Sequence, residues 1–181
     1  WCPGCGHGII LSNLGRALTK LGLENDKVVI VSGIGCSGRA SKFFNTFSVH
    51  TTHGRPIAFA TGIALANPDL KVIVLTGDGD CAAIGGNHFI HACRRNIDLT
   101  VVVFNNGIYG MTGGQGSPLS AVDSFSSTMP FGNFDNPFDI CSLAQAAGAS
   151  YVARGLTAKA IQLPELFSKG IEHKGLSVID V

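Results

Sequence analysis

The stretch Val72–Gln115 constrains the fold of this chain more than any other. It begins Val72-Ile-Val-Leu-Thr-Gly77-Asp78-Gly79-Asp80 and continues through a helix-like segment from about Gly85 to Asn96. It ends Leu99-Thr-Val-Val-Val-Phe-Asn105-Asn106-Gly107-Ile108-Tyr109-Gly110. Two apolar, β-branched runs around one helix form the pattern of a βαβ unit with parallel strands. Both runs close on polar residues and glycine, so these residues share one sheet edge.

Neighbouring strands lie about 4.8 Å apart, and open α/β sheets bind ligands beyond the carboxyl ends of their strands. Asp78 and Asn106 are therefore able to face one ion. A hard cation such as Mg²⁺ takes oxygen ligands at roughly 2.0–2.1 Å and often completes its shell with substrate phosphates. A backbone carbonyl is available as a third ligand, and Gly77, Gly79 and Gly107 let backbone approach a phosphate. Spacing alone fits a glycine-rich turn with solvated acids equally well.

The 181 residues fit one domain, and a chain of this length buries most of its apolar surface. Charged residues make up only 14%, against about 25% in soluble domains, which points to surface covered by partner chains. A net charge of +1 without a basic tract argues for no nucleic-acid surface. No apolar run approaches the roughly 20 residues of a membrane span, and the start lacks a secretory signal. A cytoplasmic protein is expected. The chain opens at Trp1 without methionine and stops on the strand-like run Leu176–Val181, so we expect a fragment of a longer protein.

Cys2-x-x-Cys5 precedes an amphipathic segment from about His7 to Leu21. In a cytosolic chain this spacing reads as redox-active or metal-binding, or as two incidental cysteines. Cys36 follows the strand Val28–Ser32. Three thiolates supply three corners of an iron–sulfur cluster or a zinc ion, each of which normally takes four. Cys81, Cys93 and Cys141 read as structural. Gly33-Ile-Gly35-Cys-Ser-Gly38 also fits a dinucleotide fingerprint, but no acidic residue follows between Arg39 and Pro68 to hold a ribose, so this reading is disfavoured. No Walker-type phosphate loop occurs.

Ser41–Val49 is aromatic-rich but irregular. His50–Arg55 reads as a loop, and Pro56 opens a helix that ends near Asn67-Pro68. His50, His88, His91 and His173 read as solvated or hydrogen-bonded. Met111–Phe138 has no sustained periodicity, and a loop of this length is expected to cover substrate or contact a partner. Asp139–Ala147 reads as a helix, Tyr151–Ala153 as a strand, Ala158–His173 as a helix interrupted at Pro164, and Leu176–Val181 as a last strand. The alternation predicts an α/β fold, a three-layer parallel sheet of five or so strands flanked by helices.

Gly77-Asp78-Gly79, followed by Asn106 28 positions after the aspartate, resembles the thiamin diphosphate motif. Four further stretches make the resemblance more specific: Trp1-Cys-Pro-Gly-Cys-Gly-His-Gly8, Gly33-Ile-Gly-Cys-Ser-Gly-Arg39, His53-Gly-Arg55 and Tyr109-Gly-Met-Thr-Gly-Gly-Gln115. Together they are similar to the β subunit of 2-oxoacid:ferredoxin oxidoreductases, strongly to about residue 120 and more loosely beyond.

The resemblance implies a thiamin diphosphate-binding fold over residues 1–181. It implies a cofactor held by Gly35, Cys36, Ser37 and His53, by Gly77, Asp78, Gly79 and Asp80, and by Asn106, Ile108, Tyr109, Gly110, Met111 and Thr112. Mg²⁺ would bridge its pyrophosphate to Asp78, Asn106 and the carbonyl of Ile108, with Asp80 supporting the loop. Arg39, His53, Met111 and Thr112 would surround the reacting atoms, Gln115 would add hydrogen bonds, and Arg55 would lie near.

Cys2, Cys5 and Cys36 would bind a [4Fe–4S] cluster whose fourth ligand lies just beyond the last strand. The implied reaction is oxidative decarboxylation of a 2-oxoacid to acyl-coenzyme A, with electrons passing to ferredoxin. The 109–115 form leans toward 2-oxoglutarate. The carboxylate that assists the cofactor belongs to the α subunit, so no general base is assigned here and the isolated chain is expected to be inactive. The competing readings are a non-oxidative thiamin diphosphate enzyme, such as a decarboxylase or acetolactate synthase relative, and a non-catalytic iron–sulfur or zinc module.

Overall fold

A computed structural model describes residues 1–181. Its centre is a six-stranded, all-parallel sheet of β1 (Val28–Ser32), β2 (Phe47–His50), β3 (Lys71–Gly77), β4 (Leu99–Phe104), β7 (Tyr151–Arg154) and β8 (Leu176–Asp180). The spatial order is β2-β1-β3-β4-β8-β7. A small antiparallel hairpin, β5 (Ile108–Tyr109) and β6 (Gln115–Gly116), stands apart from it.

Every residue of β1, β4 and β8 is buried, as expected for strands covered on both faces. Alternate side chains feed two cores. Val29, Val31, Val74, Val101 and Val103 pack with α2 (Pro56–Ala66), α4 (Gly86–Arg95) and α5 (Ile140–Ala147). Ile30, Ile73, Leu75, Val102 and Phe104 pack on the other face with α1 (His7–Lys20) and α6 (Leu163–Glu172). The period-2 alternation of strand side chains thus produces the three layers. None of the helices is long and apolar enough to cross a membrane.

Three local readings change. Phe47–His50 is an edge strand paired parallel to β1, although Phe47 is exposed and gives little alternation. Asp78–Ala82 is a helical turn, α3, so Asp78 and Asp80 stand in its first turn instead of on a strand end. Pro164 lies in the first turn of α6 and starts that helix instead of interrupting it, since proline there lacks only an N–H that has no helical partner. The residues before it, Thr157–Gln162, form 3-10 turns. Asp139 caps α5 by accepting from the Ser142 N–H at 2.9 Å.

Candidate active site

Gly77 on β3 pairs in register with Phe104 on β4, so Asp78 and Asn105-Asn106 leave the sheet at the same edge. From β1 the chain moves to β2 on one side, and β3 lies on the other, which makes the β1/β3 boundary a topological switch point. A cleft of about 210 Å³ opens there.

Every residue expected to hold the cofactor lines this cleft. Gly35, Cys36 and Ser37 come from the loop after β1, His53 from the loop before α2, and Gly77–Asp80 from the β3–α3 junction. Asn106, Ile108, Tyr109, Gly110, Met111 and Thr112 follow β4. Arg39 is apart: it is exposed in the 3-10 turns Ser37–Phe43 and does not line the cleft. Those turns also weaken the dinucleotide reading, because no α-helix begins after the glycines to receive a pyrophosphate.

Asp78 is only 3% exposed, and its Oδ2 is buried without a hydrogen-bond partner. Burial pushes its carboxyl above the usual range, opposed first by the Ser117 hydroxyl and then by the N–H groups of Gly79, Asp78 and Ile108. A dry carboxylate oxygen without a donor is costly unless a cation faces it. The carbonyl of Ile108 accepts from the Gly110 N–H at 3.1 Å, and a carbonyl oxygen has two lone pairs. Asp78, Asn106 and Ile108 line one cleft, and a carboxylate, an amide oxygen and a backbone carbonyl are donors of the kind a hard cation takes.

Asp80 is buried and bound from several sides. Its Oδ1 accepts from the Gly54 N–H at 2.7 Å and the Ile34 N–H at 3.3 Å, and lies 2.7 Å from His53 Nδ1. Its Oδ2 accepts from the Thr76 hydroxyl at 2.9 Å. One carboxylate therefore ties the loop after β1 and the loop before α2 to the end of strand β3.

Tyr109 covers Gly79 so closely that a Cβ at Gly79 would overlap its ring. Burial, and after it the charge of Asp78, pushes the phenol above its ordinary range. In the hairpin turn, the Thr112 hydroxyl donates to Gln115 Oε1, and Gln115 Nε2 donates to the Thr112 carbonyl at 2.8 Å. Thr112 and Gln115, expected to offer hydrogen bonds to substrate, bond to each other and brace the turn.

The amino terminus closes one side. Trp1 Nε1 donates to the Cys36 carbonyl at 2.7 Å. His7 is buried, with its ring 5.1 Å from Phe104 and 5.7 Å from Trp1, and burial lowers its pKa. Sequence reading passed over His7, Ile34 and Phe104 as cleft residues; only the adjacency of His7 to the Cys-x-x-Cys hinted at a site. A neighbouring cavity is lined by Cys5, His7 and Val181.

Cys2, Cys5 and Cys36 are free thiols at this edge, and burial followed by the nearby Cys2 raises the pKa of Cys36. No three His, Cys, Asp or Glu side chains gather at the spacing of a single metal ion. Cys81 and Cys93 are buried, and burial pushes the Cys93 thiol up to about 12, as expected of inert packing cysteines. His50 and His173 are hydrogen-bonded to Ser32 and Ser150, at 3.1 and 2.7 Å.

Comparison with known proteins accords with this geometry. Residues 33–181 match the family described as thiamine pyrophosphate enzyme, C-terminal TPP binding domain. The chain is 56% identical over 181 residues to the 2-oxoglutarate synthase subunit KorB of Archaeoglobus fulgidus, covering all of this chain and 67% of that protein. It is 49% identical over 183 residues to the 2-oxoacid:ferredoxin oxidoreductase subunit beta of Saccharolobus solfataricus, covering all of this chain and 60% of that one. Among solved structures it superposes on a 2-oxoglutarate:ferredoxin oxidoreductase from Magnetococcus marinus with 2-oxoglutarate, coenzyme A and succinyl-CoA bound. The TM-score is 0.97 at 43% identity, over 99% of this chain and 62% of that one.

The chain belongs to the thiamine pyrophosphate enzymes, among the β subunits of 2-oxoacid:ferredoxin oxidoreductases. It spans about two thirds of the length of these relatives or slightly less.

Proposed function

We propose that this chain is the thiamin diphosphate-binding part of an enzyme that oxidatively decarboxylates a 2-oxoacid, 2-oxoglutarate by preference, to an acyl-coenzyme A and reduces ferredoxin. The observation that carries this reading is the buried, unpartnered Oδ2 of Asp78 in a cleft shared with Asn106 and Ile108. The names of the relatives support the substrate and the electron acceptor.

Asp78, Asn106 and the Ile108 carbonyl would hold Mg²⁺, and the cleft backbone would take the diphosphate. When bound, thiamin diphosphate supplies a nucleophilic carbon and an electron sink for decarboxylation. Asp80 holds the loops after β1 and before α2 against the end of β3. Tyr109 fills the space above Gly79. Ligand sites commonly run from roughly 300 to 1,000 Å³, so a 210 Å³ cleft fits a site completed by an α subunit, which would also supply the assisting carboxylate. The exposed side chains of Phe125, Phe131 and Phe134 in the Met111–Phe138 loop suit such a partner.

Cys2, Cys5 and Cys36 would hold three corners of a [4Fe–4S] cluster, supplying one-electron transfer. Cys5 lines a cavity next to the cleft, together with His7 and Val181. Six free thiols suit the reducing cytoplasm.

Calorimetric titration of thiamin diphosphate tests the reading, with Mg²⁺, with EDTA, and with Asp78→Ala, each alone and with the α subunit present. Metal-dependent binding should weaken at least tenfold in the variant, a loss of about 1.4 kcal/mol. Wild-type protein that fails to bind even in the presence of the partner would sink the assignment.

A further inference from the structure

We propose that Asp80 is a positioning residue for His53, holding the Nδ1 proton so that Nε2 becomes the proton-handling atom in the cleft. The inference rests on the cleft being the thiamin diphosphate site and adds a role that its cofactor ligands do not supply.

The assignment follows from the hydrogen-bond inventory around Asp80. Its side chain is 1% exposed. Every group that reaches it from Gly54, Ile34 and Thr76 is a donor. A carboxylate met only by donors serves as an acceptor at both oxygens. The ring nitrogen 2.7 Å away, His53 Nδ1, must then carry its hydrogen toward Oδ1.

In the neutral ring this leaves the lone pair on Nε2. No protein group bonds to that atom, the side chain is 42% exposed, and the ring lines the cleft with Asp78. Nε2 is therefore open to take a proton from solvent, pass it to the oxo oxygen of the bound 2-oxoacid as negative charge develops there, and take it back, with no net change in the enzyme. A buried acid that fixes the tautomer and orientation of an imidazole is a recurrent way of preparing such a base.

The acid is also unusually well fixed itself. Gly54 adjoins His53, so one carboxylate oxygen holds both the backbone and the ring of the same loop. Rotation of the imidazole would cost the 2.7 Å bond and leave a buried acceptor with one donor fewer.

The test uses the complete enzyme assembled with its partner subunits, as wild type, Asp80→Asn, His53→Gln and the double variant. Each single variant should lower kcat by about 10²–10⁴-fold, the range of general acid–base catalysis, with KM unchanged. The double variant should be no slower than the worse single one, as expected of residues acting as a unit. Measured at saturating thiamin diphosphate and Mg²⁺, the fall in kcat of His53→Gln should exceed any fall in its cofactor affinity seen by calorimetry.

Nitrogen-15 spectra of histidine-labelled enzyme should show His53 protonated at Nδ1 and bare at Nε2, with the pattern altered in Asp80→Asn. Multiplying losses in the double variant would overturn the proposal. So would a bare Nδ1 in wild type, whether or not the variants fold. Failure of wild type to bind the cofactor would instead strike the functional reading, while the tautomer measurement would still judge this one.

Discussion

Gly33 lies so close to Asp80 that a β-carbon on the glycine would overlap the carboxylate. The first glycine of the loop after β1 is thus needed by a buried acid in the first turn of α3. Gly33→Ala should displace Asp80, destabilising the protein by about 1–3 kcal/mol as overpacked sites do, and should lower turnover through the misplaced His53. Chemical denaturation and steady-state assays of the assembled enzyme would check both; an alanine variant with wild-type stability would show that the loop has room to move.

Asp78 should make the metal-free protein less stable at neutral pH. Its pKa is raised in the fold, so the folded state holds the proton more tightly than the unfolded chain does. Stability should fall as pH rises from the ordinary carboxylate range through that raised value, and the full penalty applies above it. Asp78→Asn should therefore stabilise the protein at pH 7 in EDTA by about 1–3 kcal/mol, the cost of one unsatisfied buried group, while losing Mg²⁺-dependent cofactor binding. Melting curves in EDTA at neutral and acid pH would check this, with the gain shrinking as Asp78 becomes protonated.

Asp139 has the opposite sign. Arg154, then the Ser142 N–H, hold its carboxyl down at about 2 from an ordinary 3.8. Its contribution is present in full above the ordinary value and is lost as pH falls toward about 2. Asp139→Ala should cost about 1 kcal/mol, typical of a lost helix cap, and should flatten the acid limb of the stability profile. Denaturation midpoints of the two proteins across acid pH should converge.

Phe131 and Phe134 stand 84% and 81% exposed. Phe131→Ser with Phe134→Ser should leave the melting temperature of the chain nearly unchanged, since surface substitutions usually fall within about 0.5 kcal/mol. Affinity for the partner subunit should drop at least tenfold, about 1.4 kcal/mol, as measured by sedimentation or calorimetry. Unchanged affinity would place the interface elsewhere.

Much of the architecture was legible in local pattern. The β-branched runs of β3 and β4 are strong signals because parallel strands buried on both faces need apolar residues continuously. Their polar ends placed Asp78 and Asn106 at one edge before any contact was known. The edge strand β2 was not legible, because an exposed strand held by one neighbour carries little alternation. The helical start at Asp78 was hidden by its two glycines, which read as a turn.

The sequence by itself determined the α/β layering and the Asp78–Asn106 edge, since these follow from residue type, spacing and strand period. Only the tertiary structure decided that Asp80 is a buried junction, that Gly33 and Gly79 are glycine because Asp80 and Tyr109 occupy their side-chain space, and that His7 lies between Trp1 and Phe104. These relations join segments far apart in the chain, and steric exclusion and hydrogen-bond satisfaction between such segments exist only once the sheet has brought them together.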